Sequence, residues 1–374
     1  MRFAIITHVP HHFSDSRYFA YGPYVREMNI WGDFVDDIEI VAPLLDSAPG
    51  AIDLAYSHPK IAFTEIAAFN LIGFSNKLKA VFLFPIIAAR IFKVMAKADH
   101  IHLRCPGNIG LIGCLVQIFF PSKPKTAKYA GNWDPSSAQP WSYRLQKYIL
   151  NNTSLTKNMQ VLVYGDWKGD SKNIKPFFTA SYSEGDKTDV PMRSFDSGVK
   201  FLFVGSLAPG KQPMYALKLA QKIGQSGIDV KIDFYGEGKE RQSLETYISE
   251  NQLQQLAELK GNRNEAEVRE AYKHSHFVLL PSKSEGWPKV VAEAMFWGSV
   301  AAATAVSCVP QMLADGSRGI LLTGDIDRDA SQILNLISNT DSYQKISING
   351  TQWSRTYTLD RFRSEIKHLL DEKV

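Results

Sequence analysis

At 374 residues the chain is long enough for about two to two-and-a-half domains. Hydrophobic residues make up 45% and charged residues 21%, ordinary globular usage that excludes disordered, collagen-like and coiled-coil classes. A net charge of +4 is too small to argue for a nucleic-acid partner. The longest apolar stretches, 80–89 with Pro85 and 109–120 with Gln117, fall short of the ~20 residues that cross a bilayer, so no transmembrane helix is expected. Met1-Arg-Phe-Ala-Ile-Ile reads as a strand, not as a signal peptide. Cys105, Cys114 and Cys308 are an odd set without metal-ligand spacing, which suits a reducing compartment and predicts a cytoplasmic protein.

In the first half, residues 3–9, 38–42 and 100–104 read as short buried strands, with a helix over 78–98. Residues 125–130 and 161–164 add two more strands. The segment 180–199 turns polar around Gly185, Pro191 and Gly198 and is expected to link two domains. In the second half, strands are expected at 200–205, 230–235, 256–260, 277–280, 300–303 and 319–322. Helices are expected between them at 212–226, 239–250, 265–273, 288–297 and 328–338. Strands separated by helices of this length predict a parallel sheet covered on both faces. The expectation is α/β, with two doubly wound Rossmann-like domains at 1–190 and 199–357. A C-terminal helix over 358–374 is expected to pack back on the first domain. In such folds ligands bind outside the carboxyl ends of the strands, so the cleft between the domains is the expected site.

The segment Phe277-Val-Leu-Leu-Pro-Ser-Lys-Ser-Glu-Gly-Trp-Pro-Lys-Val-Val-Ala-Glu-Ala-Met runs from a buried strand through a polar loop into a helix started by Pro288. Free N–H groups at that helix start form a ready site for phosphate or sugar oxygens. Gly286 allows a ligand to approach the backbone closely. Glu285 precedes the helix and Glu293 lies about five residues inside it, roughly 7–8 Å along the axis. Two carboxylates so spaced suit the two ends of an extended ligand, a sugar hydroxyl and a ribose diol. They equally suit two solvated helix acids.

The whole string, with Leu-Pro-Ser before it and Ala-Met-x-x-Gly after it, resembles the Glu-Gly-x-x-x-x-x-x-Glu-Ala signature of the retaining, GT-B-fold family 4 glycosyltransferases. The resemblance extends over about 199–370. Phe201-Leu-Phe-Val-Gly-Ser-Leu-Ala-Pro-Gly-Lys looks like the family's strand and donor loop, with Gly205 at the turn and Ser206 where the family usually has arginine. The resemblance implies that Lys211 meets the donor diphosphate, where a cation offsets the charge of the departing group. It gives Glu285 the donor sugar and Glu293 the ribose. It makes Gly286, Trp287, Pro288, Lys289 and Val290 donor-binding as well. Phe234-Tyr-Gly-Glu-Gly resembles the family's Gly-x-Gly turn at Gly236, and a plain turn is the alternative. Gly261-Asn-Arg-Asn falls where the family meets the base, so Arg263 is either a base contact or a surface arginine.

The first half matches by pattern alone. Ala98-Asp-His-Ile-His-Leu-Arg-Cys-Pro-Gly resembles the family strand that opens into the cleft, making His102 and Arg104 acceptor-side candidates or packed residues. His11, His12 and Asp15 lie close in sequence without a metal-site pattern, and Asp325-Ile-Asp327 is read as a turn. Trp133 and Trp141 are either acceptor-stacking or buried aromatics. Nine basic residues in 77–128 face one acid, Asp99. That imbalance suits an anionic membrane surface or a lipid-diphosphate acceptor, and equally a solvated helix face.

The resemblance implies transfer of a sugar from a nucleotide-sugar donor to an acceptor hydroxyl with retention, in polysaccharide or glycolipid assembly, and with no metal or other cofactor. Two rivals stay open: a nucleotide-sugar epimerase of the same fold, and a non-catalytic partner that binds the donor. A nicotinamide dehydrogenase is disfavoured, since no Gly-x-Gly-x-x-Gly follows the first strand.

Overall fold

In a computed structural model, which describes residues 1–50, 52–68 and 74–372 but no side chain of 74–81, the apolar runs of the sequence become parallel strands. The chain divides into two units, Met1–Phe178 with Phe362–Val374, and Thr179–Arg361.

The first unit is built on a seven-stranded sheet. From one edge its strands are Ile174–Phe177, Met159–Tyr164, Lys125–Tyr129, His100–Cys105, Arg2–Ile6, Asp37–Ala42 and Ile61–Glu65. Every neighbouring pair is parallel. Arg2–Ile6 sits between the second and fourth of these strands in chain order, so the order reverses there. Helix Phe74–Lys97 lays Ile87, Ile91, Val94 and Met95, all buried, into the core. A separate four-stranded sheet is built from Leu44–Leu45, His11–Ser14, Arg17–Tyr21 and Asp53–Ala55. Helix Leu359–Asp371 begins at the end of the second unit and continues in the first, where the Phe362 ring meets Phe177 and Phe178.

The second unit holds a six-stranded parallel sheet in the order Ala257–Gly261, Val230–Tyr235, Val199–Val204, Phe277–Leu280, Val300–Thr304, Gly319–Leu322. Phe277, Val278, Leu279 and Leu280 are all buried, as expected for a central strand covered on both faces. Each such side chain contributes about 1.5–3 kcal/mol on leaving water. Asn264 caps helix Glu265–His274 through a reciprocal bond with Glu267, and Asp325 caps Ile326–Ile337.

The segment 180–199, expected as a linker, lies inside the second unit. There the Arg193 guanidinium donates to the carbonyls of Gly298, Tyr272, Lys273 and Trp297, and Asp186 pairs with Arg269. A long cation that satisfies several buried carbonyls fastens a polar strap as firmly as an apolar one would. Composition alone does not distinguish such a strap from a linker.

Candidate active site

In chain order the six strands of the second unit run third, second, first, fourth, fifth, sixth across the sheet. The switch point lies between Val199–Val204 and Phe277–Leu280, where the two following loops leave in opposite directions and open a crevice. The loop after the first strand carries Gly205 to Lys211, and the loop after the fourth carries Ser282 to Pro288.

These loops are tied together. Lys283 N–H donates to the Gly210 carbonyl at 2.9 Å, and Lys211 Nζ donates to Glu285 Oε1 at 2.5 Å. The Glu285 side chain is 9% exposed and that of Lys211 32%, so the carboxylate is sheltered while the ammonium still reaches solvent. Ser307 and Cys308 donate to the Gly286 carbonyl at 3.1 and 3.3 Å and fix the turn before the helix Lys289–Phe296. Burial pushes the Cys308 thiol up to about 12, which keeps it protonated as a donor.

Glycines set the floor. Gly205 has φ of 147° and Gly236 has φ of 145°, both in the region that favours glycine. A Cβ on Gly236 would lie 1.9 Å from the Gly205 carbonyl oxygen, so the loops after the first and second strands touch backbone to backbone. A Cβ on Gly205 or Gly210 would meet nothing within 4 Å, so both border open space. Ser206, at the family's arginine position, is exposed beside them.

Glu293 is placed differently. Its Oε1 accepts from Ser181 Oγ at 2.5 Å and its Oε2 from Tyr272 Oη at 2.9 Å. Burial, and then the Glu293 charge, hold the Tyr272 hydroxyl well above its ordinary value, so it stays a donor. Together with Lys289 and Tyr357, Ser181 and Glu293 line a small pocket. Neither Ser181 nor Tyr272 was expected from the sequence. Ser181 lies 112 residues from Glu293 along the chain, and no local pattern marks such a pair.

Other expected residues go elsewhere. The Trp287 ring stacks on Trp353 at 6.2 Å and meets Tyr357 at 5.5 Å, which makes it part of the second unit's packing. Arg263 Nε donates to the Lys260 carbonyl at 2.9 Å, and its side chain is 46% exposed at the end of the third strand. Lys289 and Val290 are half-buried and Pro288 is buried at the helix start.

In the first unit the two acceptor-side candidates have packing partners of their own. His102 is 0% exposed, accepts or donates at Nδ1 to Thr126 Oγ1 at 2.9 Å, and packs against Trp31 and Phe3. Its place in a central strand, with the side chain turned into the core, leaves no surface for a sugar. Arg104 pairs with Glu27 at 3.1 Å and lies over the Tyr24 ring, with 12% of its side chain exposed. His11 is buried against Tyr56 while His12, the next residue on its strand, reaches the Ser47 carbonyl. Strand alternation sends the two imidazoles to opposite faces. Asp325 caps its helix and Asp327 pairs with Lys222. Trp133 is buried with Nε1 donating to Asp170, and Trp141 is 57% exposed.

Residues 188–353, most of the second unit, match the family described as glycosyl transferases group 1. Among curated proteins the chain is similar to an uncharacterized glycosyltransferase of Methanocaldococcus jannaschii, 26% identical over 61% of this chain and 58% of that protein. The chain spans about half the length of the curated relatives it matches. Among solved structures it is similar to Anabaena HepE in complex with UDP, at 15% identity and a TM-score of 0.70 over 99% of this chain and 98% of that one. A glycosyltransferase from Rickettsia africae gives 14% identity and a TM-score of 0.66 over 100% and 99% of the two chains. The fold is therefore the α/β arrangement of two Rossmann-like units found in GT-B glycosyltransferases, and residues 188–353 carry the match to the group 1 family.

Proposed function

We propose that this chain is a retaining glycosyltransferase that moves a sugar from a nucleoside-diphosphate donor to an acceptor hydroxyl. The observation that carries the reading is the Lys211–Glu285 pair at the switch point of a sheet whose sequence matches the group 1 family. In the reaction the bond from the sugar's anomeric carbon to the diphosphate oxygen breaks, and a bond to the acceptor oxygen forms. The acceptor proton passes to the departing phosphate. Charge builds on that phosphate as the bond breaks, and Lys211 with the N–H groups opening helix Lys289–Phe296 offsets it. Glu285, sheltered and already polarised by Lys211, accepts from a donor sugar hydroxyl. Glu293 accepts two hydrogen bonds, and a carboxylate has lone pairs for about four, so capacity remains for a ribose hydroxyl.

UDP bound to HepE and the matched family both support a nucleotide-sugar donor. A place in polysaccharide or glycolipid assembly is part of the same proposal. The test is calorimetry and thermal shift with UDP- and GDP-sugars, followed by incubation with donor alone and with sugar acceptors. Retention predicts a product whose anomeric carbon keeps the donor's configuration by NMR. An epimer formed from donor alone, or no heat with any nucleotide sugar, contradicts the reading.

A further inference from the structure

Helix Phe74–Lys97 carries two faces that are both rich in apolar side chains. One face, with Ile87, Ile91, Val94 and Met95, is buried in the first unit's core. On the other, Phe82 is 69% exposed and Ile86 54%. At 100° per residue, Phe82 and Ile86 share an arc of roughly 100° with Arg90, Lys93 and Lys97, all exposed. Phe92, 44% exposed, flanks that arc and meets Phe119 at 6.3 Å, whose own ring is 71% exposed. From Phe74 to Lys97 the sequence has five basic residues and no acid. Exposed aromatics interleaved with cations are costly in water and suit neither a core nor a solvated face.

We propose that this face is a membrane-binding surface that lies on an anionic phospholipid bilayer, with Phe82, Ile86 and Phe119 entering the acyl boundary and Lys93 and Lys97 at the phosphates. Three features select that occupant. The apolar side chains are those that partition into an interface, the cations match its charge, and no acid on the helix opposes them. A second copy packed on the same face would bring together two helices that carry cations and no acid to pair with them, which like-charge repulsion disfavours. Among the described residues no helix is long and apolar enough to cross a membrane, so the surface rests on the bilayer instead of entering it fully. This inference does not depend on the glycosyltransferase reading, and its test uses no donor sugar.

The experiment is flotation of the full chain with vesicles of phosphatidylcholine alone and of phosphatidylcholine mixed with phosphatidylglycerol, at physiological salt. The chain is expected to float with the mixed vesicles and to stay at the bottom with the neutral ones. Phe82→Ser with Ile86→Ser, and separately Lys93→Glu with Lys97→Glu, should each lower partitioning by about tenfold or more. These side chains are exposed, so melting temperatures should match the parent, and a pair that melts normally yet floats like the parent overturns the proposal. Equal recovery with both vesicle types overturns it as well. Self-association in solution that Phe82→Ser abolishes would reassign the face to a second copy.

Discussion

Lys211 Nζ lies 2.5 Å from Glu285 Oε1, closing an ion pair between loops that follow the first and fourth strands of the second sheet. The Lys211 side chain is 32% exposed although that of Glu285 is only 9%, and a pair whose cation is this open to solvent contributes about 1 kcal/mol to stability. Such a contact is better explained by what it presents to a ligand than by what it adds to folding.

Lys211→Ala should therefore separate activity from stability. Loss of one group that offsets charge on the departing phosphate lowers turnover by about 100- to 1,000-fold. The melting temperature should fall by no more than about 2–4 °C, which corresponds to about 1 kcal/mol in a domain of this size. Steady-state kinetics beside a thermal scan checks both, and wild-type turnover in this variant would remove Lys211 from the mechanism.

Glu293 should behave the opposite way. Glu293→Ala leaves the Tyr272 hydroxyl, wholly buried, without its acceptor, and an unmet buried donor costs about 1–3 kcal/mol. Denaturant unfolding should show that loss, and Glu293→Gln should recover part of it by keeping one carbonyl oxygen. Calorimetry with UDP then isolates the ribose role: a Gln variant that folds well but binds UDP at least about tenfold more weakly supports it, while unchanged affinity restricts Glu293 to packing.

The second sheet was legible from sequence because its strands are apolar runs that need cover on both faces, and helices of matching length separate them. Glu285 and Lys211 were legible through motif strings on either side of one crevice. The first unit was harder. His102 and Arg104 look reactive in sequence, yet they lie on a central strand covered on both faces and are held by partners 24 and 77 residues away. The Tyr272–Glu293–Ser181 contact and the Arg193 strap join positions remote in sequence, and period or spacing carries no trace of them. The four-stranded sheet around His11 is built from strands of two to five residues, too short for alternation to register.

Backbone contact between the donor loops gives a sharper test of geometry. Gly236→Ala would drive a Cβ to 1.9 Å from the Gly205 oxygen at a φ of 145°. Steric overlap and strain together should cost at least about 2 kcal/mol and displace the loop that carries Ser206 and Lys211. Gly210→Ala, where a Cβ meets nothing within 4 Å, should stay within about 0.5 kcal/mol of the parent. Chemical denaturation of both variants reads the contrast, and equal stabilities would show that the two loops do not touch as described.

Buried histidines set the acid limit of the first unit. Burial lowers His11 and His100 from 6.5 to about 4, so both are neutral in the fold at pH 7. In the unfolded chain each takes up its proton near 6.5, while the folded protein resists until about 4. The unfolded state thus binds more protons across that window, and stability falls as pH drops from 6.5 toward 4. Each shift is equivalent to about 3 kcal/mol when fully expressed. Asp170, raised mainly by burial, works in the other direction, because a carboxyl that protonates more easily in the fold gains stability in acid. Thermal melts followed by Trp fluorescence at steps through this window should show a steady loss, and His100→Gln should flatten the profile even if it lowers stability at pH 7. A profile that is level down to pH 4.5 and collapses only below it would place the acid sensitivity in the carboxylates, Asp186 and Glu184 among them, whose hydrogen bonds hold them below their ordinary range.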